Sequence, residues 1–269
     1  MTVLADIIAA TRRKVRECRS SADIRQLERQ AEAHVPRGFR SGLEKASKTG
    51  IAVIAELKKG SPSRGLIRSD FDPAALAQEL KHAGAAALSV LTDEEFFYGS
   101  LKNLRVASAE SELPCLRKDF IVDEFQILEA RANNADAILL IIAALTQEEL
   151  VSLARRAAEL NLDVLSEVHD EEELGRALDA GCDLIGVNSR DLRTFNVDLT
   201  TAFRLADSIP PGVVAVAESG IESGADVARL RSAGYDAFLI GETLMRAEKP
   251  GEALKELLVE ANAAAATAR

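Results

Sequence analysis

Past about residue 50 the chain settles into a repeating pattern: a short apolar run gives way to a longer amphipathic stretch, and then another apolar run begins. Eight such runs can be read, at 51–57, 85–91, 114–120, 137–143, 162–168, 183–187, 213–218 and 237–241. Their centres lie roughly 20 to 35 residues apart, the span of one strand, one helix and two loops. This alternation predicts parallel strands joined by helices.

The turns between them carry matching signals. Ala83-Gly84-Ala85, Ala180-Gly181-Cys182-Asp183 and Ala233-Gly234-Tyr235-Asp236 each put a glycine where a helix should end, just before the next apolar run. Glycine takes the left-handed cap conformation there at little cost. Helix starts are legible as well. Asp72-Pro73 pairs a capping residue with proline at the first helical position, and Thr146 with Glu149 forms a capping box ahead of Leu150, Leu153 and Ala154. No unit carries a dinucleotide-type glycine fingerprint, so eight strand–helix units in about 220 residues predict an α/β fold of the (β/α)8 TIM-barrel kind rather than a doubly wound sheet. Residues 1–48 precede the first strand, with Leu4, Ile7, Ile8 and Val15 at helical spacing and a second helical stretch at 22–33. The expectation is a single barrel domain over 1–269 with a helical N-terminal extension packed on it.

Composition narrows the class without changing this picture. At 269 residues, 47% hydrophobic and 28% charged, the sequence describes an ordinary globular protein. Cys18, Cys115 and Cys182 are far apart and have no nearby cysteine or histidine partners, which argues against a disulfide framework or structural zinc and for a reducing cytoplasm. The net charge of −10 speaks against a nucleic-acid-binding surface, while leaving room for a local anion site. The longest apolar run, 137–145, is about half the ~20 residues a spanning helix needs. The basic cluster at 12–19 follows rather than precedes the first apolar stretch, so the start reads as mature protein.

In such a barrel the active site lies at the carboxyl ends of the strands. Polar residues end five of the eight runs: Glu56 and Lys58, followed by Ser61-Pro62-Ser63; Lys118-Asp119; Glu167; Asn188-Ser189-Arg190; and Glu218-Ser219-Gly220. One strand-end charge is ordinarily a solvated rim residue. Five at equivalent places indicate function, because burying that many uncompensated ions costs several kcal/mol each. The last two units add a phosphate signature: backbone N–H groups after Gly220 and Gly241, next to Ser219 and Glu242 and aided by a short helix terminus, can converge on an anion. The histidines give no comparable signal. His34 and His82 read as surface residues, and His169 as a cap or rim residue.

Five segments in order, Ala55 to Ser63, Leu116 to Ile121, Glu167-Val168-His169, Gly186 to Leu192 and Ala217 to Ile221, together resemble the indole-3-glycerol phosphate synthase family. The resemblance covers nearly the whole chain, including the helical extension. It implies conversion of 1-(2-carboxyphenylamino)-1-deoxyribulose 5-phosphate to indole-3-glycerol phosphate, with loss of CO2 and water, in tryptophan biosynthesis. It implies no metal or organic cofactor. The expected partner is the small phosphorylated substrate, without nucleic acid or membrane, and the expected state is a monomer or at most a weak homo-oligomer.

Carried over residue by residue, the resemblance makes Lys118 the proton donor to the ketone oxygen, Glu167 the acid–base group of dehydration, and Glu56 with Lys58 a neighbouring proton-shuttling pair. The order in which Lys118 and Lys58 act stays open. Asn188, Arg190 and Glu218 match binding and orienting positions, with Asn188 and Glu218 counted in the catalytic set. Ser61, Ser219, Gly220, Gly241 and Glu242 match the phosphate neighbourhood, and Phe97, Phe120, Leu139, Leu192 and Leu239 are expected along the substrate, mostly as an apolar wall for the aryl ring. The competing readings are a phosphoribosylanthranilate isomerase, a Schiff-base aldolase using Lys118, and an inactive ligand-binding barrel.

Overall fold

The computed structural model describes residues 3–191 and 196–267. Three helices, α1 (Val3–Ser21), α2 (Ile24–Ala33) and α3 (Phe39–Thr49), lead into strand β1 (Ala52–Leu57). A two-stranded hairpin, β2 (Gly60–Ser61) and β3 (Gly65–Leu66), follows at once. The chain then alternates: α4 (Pro73–Ala83), β4 (Ala87–Leu91), α5 (Leu101–Ser111), β5 (Cys115–Lys118), α6 (Glu124–Ala132), β6 (Ala137–Ile141), α7 (Gln147–Glu159), β7 (Asp163–Val168), α8 (Glu171–Asp179), β8 (Leu184–Asn188), α9 (Thr200–Ala206), β9 (Val214–Glu218), α10 (Gly224–Ser232), β10 (Ala237–Ile240), α11 (Glu242–Arg246) and α12 (Pro250–Thr267).

β1 and β4 to β10 are all parallel and close on themselves, β10 pairing back onto β1 with Ala52 opposite Ala237 and Ile54 opposite Leu239. This is the (β/α)8 TIM barrel that the apolar runs predict, and each run overlaps one barrel strand to within two residues at either end. At 137–143 the strand stops at Ile141 and a 3-10 turn, Ile142–Ala144, takes over. The hairpin after β1 had no signal in the apolar pattern, because its two-residue strands are too short to show a period.

Local chemistry explains the joints. Gly84, Gly181 and Gly234 have φ of 103°, 79° and 109°, the left-handed region that lets each helix end and the next strand begin. Asp72 accepts hydrogen bonds from the Ala74 and Ala75 N–H groups, and Thr146 and Glu149 exchange the two bonds of a capping box.

Strand periodicity then sorts the side chains. Val53, Ala55 and Leu57 point outward under the helices, whereas Ala52 and Ile54 fill the barrel interior with Ala87, Leu116, Leu139, Leu165, Leu184, Val214, Val216, Ala237 and Leu239. Phe39 and Leu43 of α3, both fully buried, belong to the same interior cluster. α2 and α3 therefore cannot be a loose leader. His34, read from sequence as a surface residue, is buried, and its Nε2 lies 3.1 Å from Asp136 Oδ1. Asp136 also accepts from the backbone N–H groups of Arg37 and Cys115, both at 2.7 Å. No helix among the described residues is long and apolar enough to cross a membrane.

Candidate active site

The inward rows that carry apolar residues deep in the barrel end in polar ones at its mouth. Ile54 is followed two positions on by Glu56, Leu116 by Lys118, Leu165 by Glu167, and Val216 by Glu218, so a period of two delivers all four side chains into one space. There Lys118 Nζ lies 2.6 Å from Glu218 Oε2 and 3.1 Å from Glu167 Oε2. Lys58 Nζ pairs with Glu56 Oε1 at 3.0 Å, and Ser89 donates to Glu56 Oε2 at 3.1 Å. Asn188 accepts the Arg190 N–H on Oδ1 at 3.0 Å, and its side chain hydrogen-bonds Glu167.

Burial makes these charges depend on one another. It opposes the Lys118 ammonium, yet the carboxylates of Glu218, Glu167 and Glu56 outweigh it and raise Lys118 above the ordinary lysine value. Burial likewise opposes ionisation of Glu56 and Glu167. Lys58 and Lys118 nevertheless hold Glu56 low, and Lys118, His169 and Asn188 do the same for Glu167. Glu218 goes the other way: burial, joined by repulsion from Glu167 and Glu56, outweighs Lys118 and pushes its carboxyl up to about 7. Three carboxylates around two lysines leave one negative charge too many, and Glu218 holds the extra proton at least cost. Its Oε1 has no hydrogen-bond partner among the described residues.

Two glycines give these carboxylates their room. A Cβ on Gly186 would stand 2.0 Å from Glu218 Oε1, and one on Gly241 would stand 2.5 Å from Glu56 Oε1.

The mouth divides into two clefts. The first, enclosing about 790 Å³ of space open to solvent, is lined by the charged Lys118, Glu167 and Glu218 and by the apolar Phe97, Phe120, Leu139 and Ile141. The rings of Phe97 and Phe120 are tilted at 42° with centroids 6.1 Å apart. Ser61 and Asn188 line this cleft too. The second, of about 1010 Å³, is lined by Gly220, Gly241, Glu242, Arg64 and Arg246. Glu56, Lys58, Arg190, Ser219 and Leu239 border both.

Sequence reasoning thus named residues that the fold brings together around these two clefts, although Ser61 lines the aromatic cleft rather than the glycine-lined one. Leu192, expected in the apolar wall, lies outside the described residues. Arg64 and Arg246 were missed. With Arg190 they converge on Glu242, at 2.9, 3.7 and 3.2 Å, and they stand on a loop and a short helix where no apolar run ends to mark them. His169, expected as a cap or rim residue, has its Nε2 3.5 Å from Glu167 Oε1.

A lysine caught between glutamates at the carboxyl end of a closed parallel barrel, next to an arginine-bordered cleft, belongs to the class of barrel enzymes that work by acid–base chemistry at strand ends. Sequence comparison takes the class to one family. The family model for indole-3-glycerol phosphate synthase matches residues 4–257, and the chain belongs to that family of decarboxylating lyases of tryptophan biosynthesis. The indole-3-glycerol phosphate synthase of Koribacter versatilis is 56% identical over 257 residues, covering 96% of this chain and 99% of the relative. That of Chlorobium chlorochromatii is 52% identical over 217 residues, 81% and 84% of the two chains.

Solved structures show the fold alone. A mandelate oxidase aligns with a TM-score of 0.62 at 18% identity, over 90% of this chain and 94% of the other. Thiamine phosphate pyrophosphorylase from Pyrococcus furiosus aligns with a TM-score of 0.59 at 20% identity, over 82% and 98%.

Proposed function

We propose that this chain closes the indole ring of 1-(2-carboxyphenylamino)-1-deoxyribulose 5-phosphate and releases indole-3-glycerol phosphate, CO2 and water. The observation that carries the reading is the position of Lys118, held as an ammonium by Glu167 and Glu218 and facing an apolar wall suited to an aryl ring. The aryl carbon bearing the carboxylate attacks the ketone carbon, and the ketone oxygen takes a proton from Lys118. The bond to the carboxylate then breaks, CO2 leaves, and the electron pair returns to the ring. Glu218, 2.6 Å away, is the proton source that restores Lys118.

Dehydration removes the new hydroxyl as water together with a proton from the neighbouring carbon. Glu167 is the base. Lys58 is the second acid, because it borders both clefts whereas Lys118 lines only the aromatic one. Asn188 orients Glu167. Arg190, Arg64 and the backbone around Ser219, Gly220 and Gly241 are assigned to the phosphate, whose charge can replace the Glu242 carboxylate as partner of the arginines. Phe97, Phe120, Leu139 and Leu239 hold the aryl end. The Cys18, Cys115 and Cys182 thiols are free, which supports a reducing compartment, and we assign the cytoplasm.

A Schiff-base role for Lys118 needs a neutral amine, and the surrounding carboxylates favour the opposite state. Incubation with the carboxyphenylamino substrate should therefore yield indole absorbance and fluorescence with one CO2 per product, while borohydride added during turnover leaves the protein mass unchanged. Absence of indole product, or a substrate-derived adduct on Lys118, would contradict the proposal.

A further inference from the structure

The strand that delivers Glu167 ends at Val168, and His169 follows it, one residue before Asp170, the cap of α8. One oxygen of Glu173, Oε2, takes both the backbone N–H of His169 at 2.8 Å and the ring Nδ1 at 2.9 Å. That double contact fixes the ring and commits its Nδ1 proton to Glu173. The other ring nitrogen, Nε2, is shut off from solvent, has no hydrogen bond among the described residues, and stands 3.5 Å from Glu167 Oε1. A neutral ring would turn its Nε2 lone pair toward a buried carboxylate, setting two acceptors face to face. An imidazolium turns the same contact into an ion pair.

We propose that His169 is a positioning residue for Glu167: clamped by Glu173, its imidazolium holds one oxygen of the Glu167 carboxylate so that the other stays aimed at Lys118. The proposal rests on the acid–base role of Glu167 given above.

The surroundings agree with a charged ring. Glu173 faces it from α8, Glu167 from β7 and Glu218 from β9. Arg204 of α9 reaches the His169 carbonyl at 3.4 Å, and its own charge is paired with Glu171. Burial opposes the imidazolium, but the three carboxylates outweigh it and raise His169 above the ordinary histidine value. The imidazolium is the counter-charge that the Glu167 and Glu173 carboxylates on its two ring nitrogens share.

Loss of the imidazolium at alkaline pH should cost Glu167 both its counter-charge and its orientation. The test is kcat against pH for wild type, His169→Leu, His169→Gln, Glu173→Gln and Glu167→Gln, with thermal melts as a check on folding. His169→Leu should lose about tenfold or more in kcat with KM within about threefold, raise the acidic limb by about 0.5–1 pH unit as Glu167 holds its proton more tightly, and reduce the alkaline side to the step set by Glu218 alone. His169→Gln offers a neutral N–H to Glu167 at any pH, so it should recover kcat to within about threefold of wild type, again with only the Glu218 step on the alkaline side. Glu173→Gln should move the His169 step down. Unmoved limbs in folded variants, or a Gln variant no better than Leu, would make His169 a packing residue and overturn the proposal. Should His169→Leu fail to fold, the Gln and Glu173 variants decide alone. If Glu167→Gln keeps kcat within about threefold, the acid–base reading of Glu167 itself has failed, a result distinguishable from all the others.

Discussion

Glu218 sits at the least favourable point of the charged cluster, fully inside the barrel and next to two other carboxylates. Its raised value, about 7, has a sign consequence for stability. The folded state binds this proton more tightly than the unfolded chain does, so Glu218's contribution to stability is largest below the ordinary glutamate range and is lost as pH rises through about 7. Glu218→Gln has no such loss. Relative to wild type its melting temperature should be higher at pH 8 than at pH 5, by an additional ~2–4 °C for each kcal/mol recovered, while kcat falls because the proton source for Lys118 is gone. Melts of both proteins at the two pH values check this, and a difference of opposite sign would contradict it. The glutamates and lysines of this cluster were legible in the sequence because each interrupts an apolar run at its carboxyl end. His169 was not, because its role depends on the ring orientation that Glu173 imposes. A glutamate four residues after a strand-end histidine is the signal that could have found it.

At the scale of strands and helices, glycine has opposite meanings in neighbouring elements. Gly186 lies inside β8, where a Cβ would collide with Glu218 Oε1 at 2.0 Å, so Gly186→Ala must displace the carboxylate or the strand. A displacement of that kind at a reacting group should cost about 10²-fold in kcat. Gly175 lies inside α8 with nothing near the place its Cβ would take. Gly175→Ala should stabilise by about 0.5–1 kcal/mol and leave kcat unchanged. Parallel measurements of kcat and unfolding free energy separate the two, and similar effects from both would contradict the close approach in β8. Barrel strands were legible because both faces are apolar and each run ends in a turn signal. The β2–β3 hairpin and the five-residue α11 are too short to carry a period, and they bring Arg64 and Arg246 to the second cleft by geometry that no local pattern encodes.

Across the whole molecule, the segment from His34 into α3 is tied to the barrel on the side opposite the active site, whereas α1 pairs with the carboxyl-end loops through Arg12–Glu149, Lys14–Glu94 and Arg19–Asp123. Asp136, fully buried, gathers the His34 ring, the Arg37 backbone and guanidinium, and the Cys115 N–H. Asp136→Ala leaves those groups without their acceptor and should cost about 3–5 kcal/mol, close to the cost of breaking a buried ion pair. Denaturant unfolding measures it, and a loss below about 1 kcal/mol would show that the extension is held by apolar packing alone. Helical spacing made a helical extension before β1 legible in the sequence. It could not convey the Asp136 network, which joins residues about a hundred positions apart. At the barrel's other end the central claim is that Lys118 gives the proton that drives ring closure. Its most direct test is kcat for indole-3-glycerol phosphate formation by Lys118→Met, measured with the dissociation constant of the carboxyphenylamino substrate. The expected result is a loss in kcat of about 10³-fold or more with binding kept within about tenfold. Turnover within about threefold of wild type would contradict it.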